Sequence, residues 1–229
     1  MIILCIEAST EVCSVALIGD SGLISEYSRC IKVTHSERLL PAIQSILVDT
    51  NVTIKEIHAV AVSVGPGSFT SIRVAVSTAK GLAYDGNKPV IPVSSLLGLA
   101  HRFREVGLPI CTLLDARKQE VYAAVFKSID GEISAVSPEQ VISPTRLCES
   151  IKEPTLFVGE GAVKYKAILK EHLPSFAFFV PGSLNLPSAA AIGEIAVQKL
   201  KVSQTVGHGA LVPNYIRRSE AEILYRNRA

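Results

Sequence analysis

Apolar and polar positions along this chain change period several times, and each change marks an element. Residues 2–6, 13–18 and 23–28 are short apolar runs separated by polar turns, Asp20-Ser21-Gly22 being the clearest, and they read as three strands of a meander. The period then lengthens. Leu39, Leu40, Ile43, Ile46 and Leu47 recur at helical spacing, with Thr34 and Glu37 set as a capping box at the start and Pro41 placed to kink the helix. A buried-strand pattern at 58–63, a helical pattern at 72–84 and a short strand at 90–93 follow. The order is strand, strand, strand, helix, strand, helix, strand.

The rest of the chain repeats that order more loosely, with strands near 110–114, 121–126 and 133–136, a helix near 145–151 and a strand at 155–158. Glu7-Ala8-Ser9-Thr10 and Asp115-Ala116-Arg117-Lys118 hold matching places, each beginning with an acid that ends the first strand of its half before a turn into the second. Two such halves, each a mixed sheet flanked by helices, predict an α/β protein of the duplicated, two-lobed actin-like ATPase (ribonuclease H-like) class. The lobes are expected at 1–105 and 106–229. In the helix at 72–84, Ile72, Ala75, Val76, Ala79, Leu82 and Ala83 make one face, and Arg73, Ser77, Lys80 and Tyr84 another. Small residues there let a second helix come close.

Composition narrows the classes. Only 19% of residues are charged while 48% are apolar, which fits strands covered on both faces and equally a surface partly hidden against another protein. A net charge of +2, from 23 basic and 21 acidic residues, excludes a basic field able to hold nucleic acid unaided. The 5 cysteines are odd in number and include no Cys-x-x-Cys pair, which points to buried thiols in a reducing compartment and excludes zinc fingers. The apolar start is interrupted by Glu7, and no stretch approaches a membrane span. A cytoplasmic protein is expected.

The candidate chemistry is thin. Gly65-Pro66-Gly67-Ser68 aims a glycine turn at a helix start, where it can hold an anion or let the chain reverse beside a close neighbour. A P-loop needs Gly-Lys-Ser/Thr after four spacers, and a dinucleotide fingerprint needs glycine where Thr70 stands. Both tests fail, which favours the structural use. Ser68 does not sit in a Gly-x-Ser-x-Gly elbow. His35, His58, His101, His172 and His208 include no pair three or four apart, so a metallopeptidase has no ligands. Glu7 could bind magnesium in a first phosphate loop or cap its own turn; the Ala8 and Ser9 beside it, in place of glycine, favour the cap. The rivals from other classes are a stand-alone ATP-dependent phosphotransferase and a free-standing RNA-binding module.

Several separate segments coincide with one family: Glu7-Ala8-Ser9-Thr10, His35-Ser36-Glu37-Arg38-Leu39-Leu40-Pro41, the turn at 65–73, Leu114-Asp115-Ala116-Arg117, and Pro213-Asn214-Tyr215-Ile216-Arg217. Over nearly its whole length the chain resembles the TsaB proteins, partner subunits of the bacterial machinery that makes threonylcarbamoyladenosine in tRNA. The departures are Glu7, usually Asp, and Ser71 and Ala75, both usually Gly, which bear on how closely a partner can approach that helix. The resemblance implies a non-catalytic chain without cofactor or metal. Its role would be to bind and activate TsaD, which transfers threonylcarbamoyl to N6 of adenosine 37 in tRNAs reading codons that begin with A. The ATPase TsaE would join the larger complex, and tRNA would be met only through that complex. TsaD carries a His-x-x-x-His metal motif where this chain has Ser95 and Leu99. The helices from His35 and Ile72 would form a bundle with TsaD, with His35, Arg38, Leu39, Phe69, Arg73, Val74, Ser77 and Lys80 at the interface. Arg217 and Arg218 are expected to contact tRNA, and the isolated chain to pair with itself through the same surface.

Overall fold

The computed structural model describes residues 1–30, 35–129 and 131–217. The first sheet holds β1 (Ile2–Glu7), β2 (Val12–Gly19), β3 (Gly22–Cys30), β4 (Ala59–Ser63) and β5 (Val90–Val93), in the order β3-β2-β1-β4-β5. The meander strands pair antiparallel, while β1, β4 and β5 run parallel. Two helices supply the parallel crossovers, α1 (His35–Thr50) and α2 (Phe69–Tyr84). Strand β1 explains the low charge content. Its side chains alternate between two buried faces: Leu4 and Ile6 enter a core with Leu39, Ile43, Ile46, Ile72 and Ala79, and Ile3 and Cys5 enter a second core with Ile192 and Ile195.

After α3 (Ser95–His101), the second sheet is built from β6 (Ile110–Asp115), β7 (Val121–Ile129), β8 (Glu132–Ala135), β9 (Gln140–Ile142), β10 (Thr155–Val158) and β11 (Ala177–Phe179). Its order, β11-β10-β6-β7-β8 with β9 added on β7, repeats the first sheet's. Short helices α4 (Pro144–Ser150), α5 (Glu160–Lys164) and α6 (Lys166–His172) link these strands, and α7 (Ala189–Lys201) follows. The registers make the duplication concrete, since Glu7 pairs with Ser14 and Asp115 with Val121 as the last rungs before the two turns. This is the expected actin-like, ribonuclease H-like architecture.

Strands of the two sheets separate on either side of residues 105 and 106, but helices cross that line. Helix α3 packs under the second sheet through Leu96, Leu99 and Ala100, and α7 returns to cover the first. Sequence pattern had not marked α7, because its stripe is mostly alanine. Its start is fixed by Glu26 on β3, whose Oε1 accepts from Ser188 Oγ at 2.7 Å and from the Ala190 amide at 3.2 Å. Helix α2 begins three residues before the expected Ile72, because Ser68 caps it by accepting from the Ser71 amide at 3.5 Å. The capping box at Thr34 lies outside the described residues. Helix α1 continues through Pro41.

Candidate functional site

Two regions hold the candidate chemistry: the paired hairpin turns and the outward face of α1 and α2. At the first turn, backbone donors are taken up by the chain itself. Glu7 is 1% exposed, and its Oε1 accepts from the Ser9 amide at 2.6 Å. The Ala8 amide donates to Ser63 Oγ at 3.4 Å and the Val12 amide to Thr10 Oγ1 at 3.1 Å. The glycine turn closes the other side. The Ser68 amide donates to the Ser9 carbonyl at 2.8 Å, and a Cβ on Gly67 would stand 2.3 Å from that oxygen. Gly67 is therefore needed for close backbone approach within the chain. Burial pushes the Glu7 carboxyl above its ordinary value, against the hydrogen bonds from Ser9 and Ser63 that lower it.

The second turn is closed in the same manner by different means. Asp115 Oδ1 accepts from the Arg117 amide at 3.1 Å and Oδ2 from Lys164 Nζ at 2.8 Å. The Ala116 amide reaches the Glu120 carbonyl at 3.0 Å, and the Glu120 amide reaches the Arg117 carbonyl at 2.9 Å. Arg117, Lys118 and Gln119 lie at φ of 61°, 52° and 60°, a left-handed run that costs roughly 1 kcal/mol per non-glycine residue. Burial raises the Glu160 carboxyl, and the charges of Asp115 and of Glu11 in the first turn raise it further. Glu160, at the start of α5, also accepts from the Asp115 amide at 3.4 Å, so the second turn is flanked by carboxylates where a phosphate group would need donors.

On the outward face, the structure separates the expected interface residues. Ser77 and Arg73 are exposed, and Val74, Lys80, Phe69 and Arg38 are half-buried. Leu39 differs from expectation: at 1% exposure it belongs to the first core, and the exposed leucine of that turn is Leu40. Nothing is described of the His35 side chain, and Arg218 lies outside the described residues. Arg38 is held to the Glu11 carbonyl at 2.6 Å. Arg217 turns inward to the Ala116 carbonyl and the Glu120 carboxylate, so its charge is already paired. Between α1 and α2 runs an open apolar groove of about 670 Å³, lined by Leu40, Ile43, Leu47, Val48, Val52 and Leu82.

One constellation was not visible in the sequence. Phe69 and Tyr215 stack with centroids 4.8 Å apart, and Arg73 lies over both rings, 5.7 and 5.5 Å from their centroids. Its Nε donates to Tyr215 Oη at 2.7 Å. The three residues are brought together because the segment 206–217 crosses from one lobe to the other. Val206 bridges to Val90, Leu211 enters the first core, the Asn214 amide donates to the Val64 carbonyl at 2.7 Å, and Ile216 packs with α3 against the second sheet.

Comparison with known proteins bears directly on these features. Residues 29–225 match the family described as TsaD, tRNA N6-adenosine threonylcarbamoyltransferase. The tRNA threonylcarbamoyladenosine biosynthesis protein TsaB of Bacillus subtilis is 32% identical over 97% of this chain and 96% of its own length. TsaB of Escherichia coli is also 32% identical, with 96% of each chain covered. The chain belongs to the TsaB family. The crystal structure titled YeaZ from Pseudomonas aeruginosa superposes with a TM-score of 0.82 at 30% identity, covering 93% of this chain and 99% of that one.

Within that family, the departures at Ser71 and Ala75 fall on the buried side of α2, so they leave its outward face unaltered. Ser95 and Leu99 are both 1% exposed on α3, where Leu99 reaches toward Gly159 and packs under the second sheet. His58 Nδ1 accepts from the Ile2 amide at 3.1 Å, and His101 Nε2 lies 3.0 Å from Glu194 Oε2. Among the described residues, no three His, Cys, Asp or Glu side chains are grouped so as to hold a metal ion. No helix among them is long and apolar enough to cross a membrane.

Proposed function

We propose that this chain is a non-catalytic subunit in threonylcarbamoyl transfer to N6 of adenosine 37 of tRNAs reading codons that begin with A, and that it works by docking on TsaD. The observation that carries this reading is that the turns bind their own amides: those of Ala8, Ser9 and Val12 go to Ser63, Glu7 and Thr10, and those of Ala116, Arg117 and Glu120 go to Glu120, Asp115 and Arg117. The reading is supported further by exposed apolar residues on the α1 and α2 side, Leu40, Val48 and Tyr84, of the kind that a partner helix covers. Helices α1 and α2 supply the surface, TsaE joins the larger complex, and the work is cytoplasmic.

An omission experiment tests it. Purified TsaD, TsaE and the threonylcarbamoyl donor are mixed with tRNA, with and without this chain. Modified adenosine is expected only when the chain is present, and the chain alone is expected to hydrolyse no ATP. Full modification without it, or steady hydrolysis by the isolated chain, would overturn the proposal.

A further inference from the structure

The Arg73 side chain is arranged unlike any other exposed cation among the described residues. Its stem rises from the second turn of α2, its guanidinium carbon lies 5.7 and 5.5 Å from the centroids of the stacked Phe69 and Tyr215 rings, and Nε donates to the Tyr215 hydroxyl. No carboxylate lies in ion-pair range of it among the described residues. An ordinary surface arginine samples many rotamers and loses that freedom on binding. This one has lost much of it already. With Nε occupied, the terminal Nη1 and Nη2 groups form an end-on fork whose geometry suits one planar, two-oxygen acceptor.

We infer that Arg73 is an anchor for a partner carboxylate, an Asp or Glu set among apolar residues on the helix that docks against α2. Tyr215 acts as its positioning residue. The inference rests on the docking reading above and deepens it by naming the chemistry that TsaD must present. Protein carboxylate is favoured over RNA phosphate on two grounds. A phosphate track needs a row of cations, whereas the exposed face of α2 offers Val74, Ser77 and Gly81 beyond Arg73, with Lys80 half-buried two turns away. Arginine and tyrosine are also among the residues enriched at the energetic centre of protein interfaces.

The test is titration calorimetry of the full chain with TsaD from the same cell, at low and moderate salt, with thermal melting of every variant. Arg73→Gln is expected to weaken binding about 10- to 100-fold without lowering the melting temperature. Arg73→Lys should recover little, because an ammonium has no fork. Tyr215→Phe keeps the ring stack and loses only the hydroxyl, so a several-fold loss there is the sign of positioning that a merely structural tyrosine would not give. Arg73→Glu should be rescued by changing one acid of TsaD to lysine. If wild-type chain fails to bind TsaD, the docking reading itself falls. If wild type binds and Arg73→Gln binds equally well, docking stands and the carboxylate anchor is wrong. If Arg73→Gln leaves TsaD affinity unchanged yet weakens tRNA retention by the complex, the fork takes phosphate and the inference is likewise overturned.

Discussion

The hairpin cleft and the α2 face lie at opposite sides of one short connection, Gly65 to Ser68, and they treat polar groups in opposite ways. In the cleft, amides, hydroxyls and carboxylates close on one another, from Ser9 on Glu7 to Lys164 on Asp115. On α2, Arg73 is held by Tyr215 through Nε while no carboxylate among the described residues pairs with its terminal donors, and small and apolar residues lie along the helix beside it. A catalytic cleft requires open donors and a buried scaffold requires closed ones, so this distribution supports the proposal that function lies on the face. The duplication of the two sheets survives intact; what has changed is which polar groups remain available.

Charge placed on the open face should do the most damage. Ser77→Glu puts a carboxylate one turn from Arg73, on the face that the complex would bury, where a charge without a partner costs about 3 kcal/mol or roughly a hundredfold in affinity. Melting of the isolated chain should hardly change, because Ser77 is exposed. Sedimentation of the mixture with TsaD reads both outcomes, and an unaltered complex would move the interface elsewhere.

Filling the closed side should give a smaller effect of the other kind. Gly67→Ala drives a methyl to 2.3 Å from the Ser9 carbonyl oxygen, so the turn or the first hairpin must shift, and a loss of about 2 kcal/mol in unfolding free energy is expected. Denaturant unfolding measures it. A neutral result would mean that the turn has room for a ligand after all.

Smallest is the effect of neutralising Glu7. Its folded pKa lies above its ordinary value of 4.5, chiefly through burial, so in the window opening upward from 4.5 the folded state binds more protons than the unfolded one. Stability from this group is therefore full below that window and declines as pH rises through it. Glu7→Gln keeps an oxygen for the Ser9 amide and removes the ionisation. Its melting temperature should exceed wild type by a few degrees (roughly 3 °C) at pH 8 and match it near pH 4. A variant that melts lower at pH 8 would show that the ionised form is wanted there, as a cation ligand would be.

Much of this contrast could be read before any coordinates. Continuous apolar runs at 2–6 and 13–18 give the strands because both faces of those strands are buried, and the missing glycines beside Glu7 already marked the first turn as a poor phosphate loop. Helix α7 escaped because Ala189, Ala191 and Ala196 carry little apolar contrast, although Ala189 and Ala196 join the second core and Gly193 lies against Ile18 and Cys5. Leu39 and Leu40 were placed on one stripe, but helical geometry turns one into the core and the other outward. The Phe69, Arg73 and Tyr215 cluster joins residues separated by 142 positions, and no local periodicity encodes such a meeting. The segment Pro213 to Arg217 was conspicuous as a motif, yet only its path across both lobes reveals what its tyrosine holds.

The central claim is that the chain acts through its open face on another protein. Size-exclusion chromatography of the purified chain with and without TsaD of the same cell tests it most directly. A single earlier peak containing both proteins in equal amounts is the predicted result, with Ser77→Glu returning the two to separate peaks. Separate elution of the wild-type proteins under conditions in which tRNA modification proceeds would contradict it.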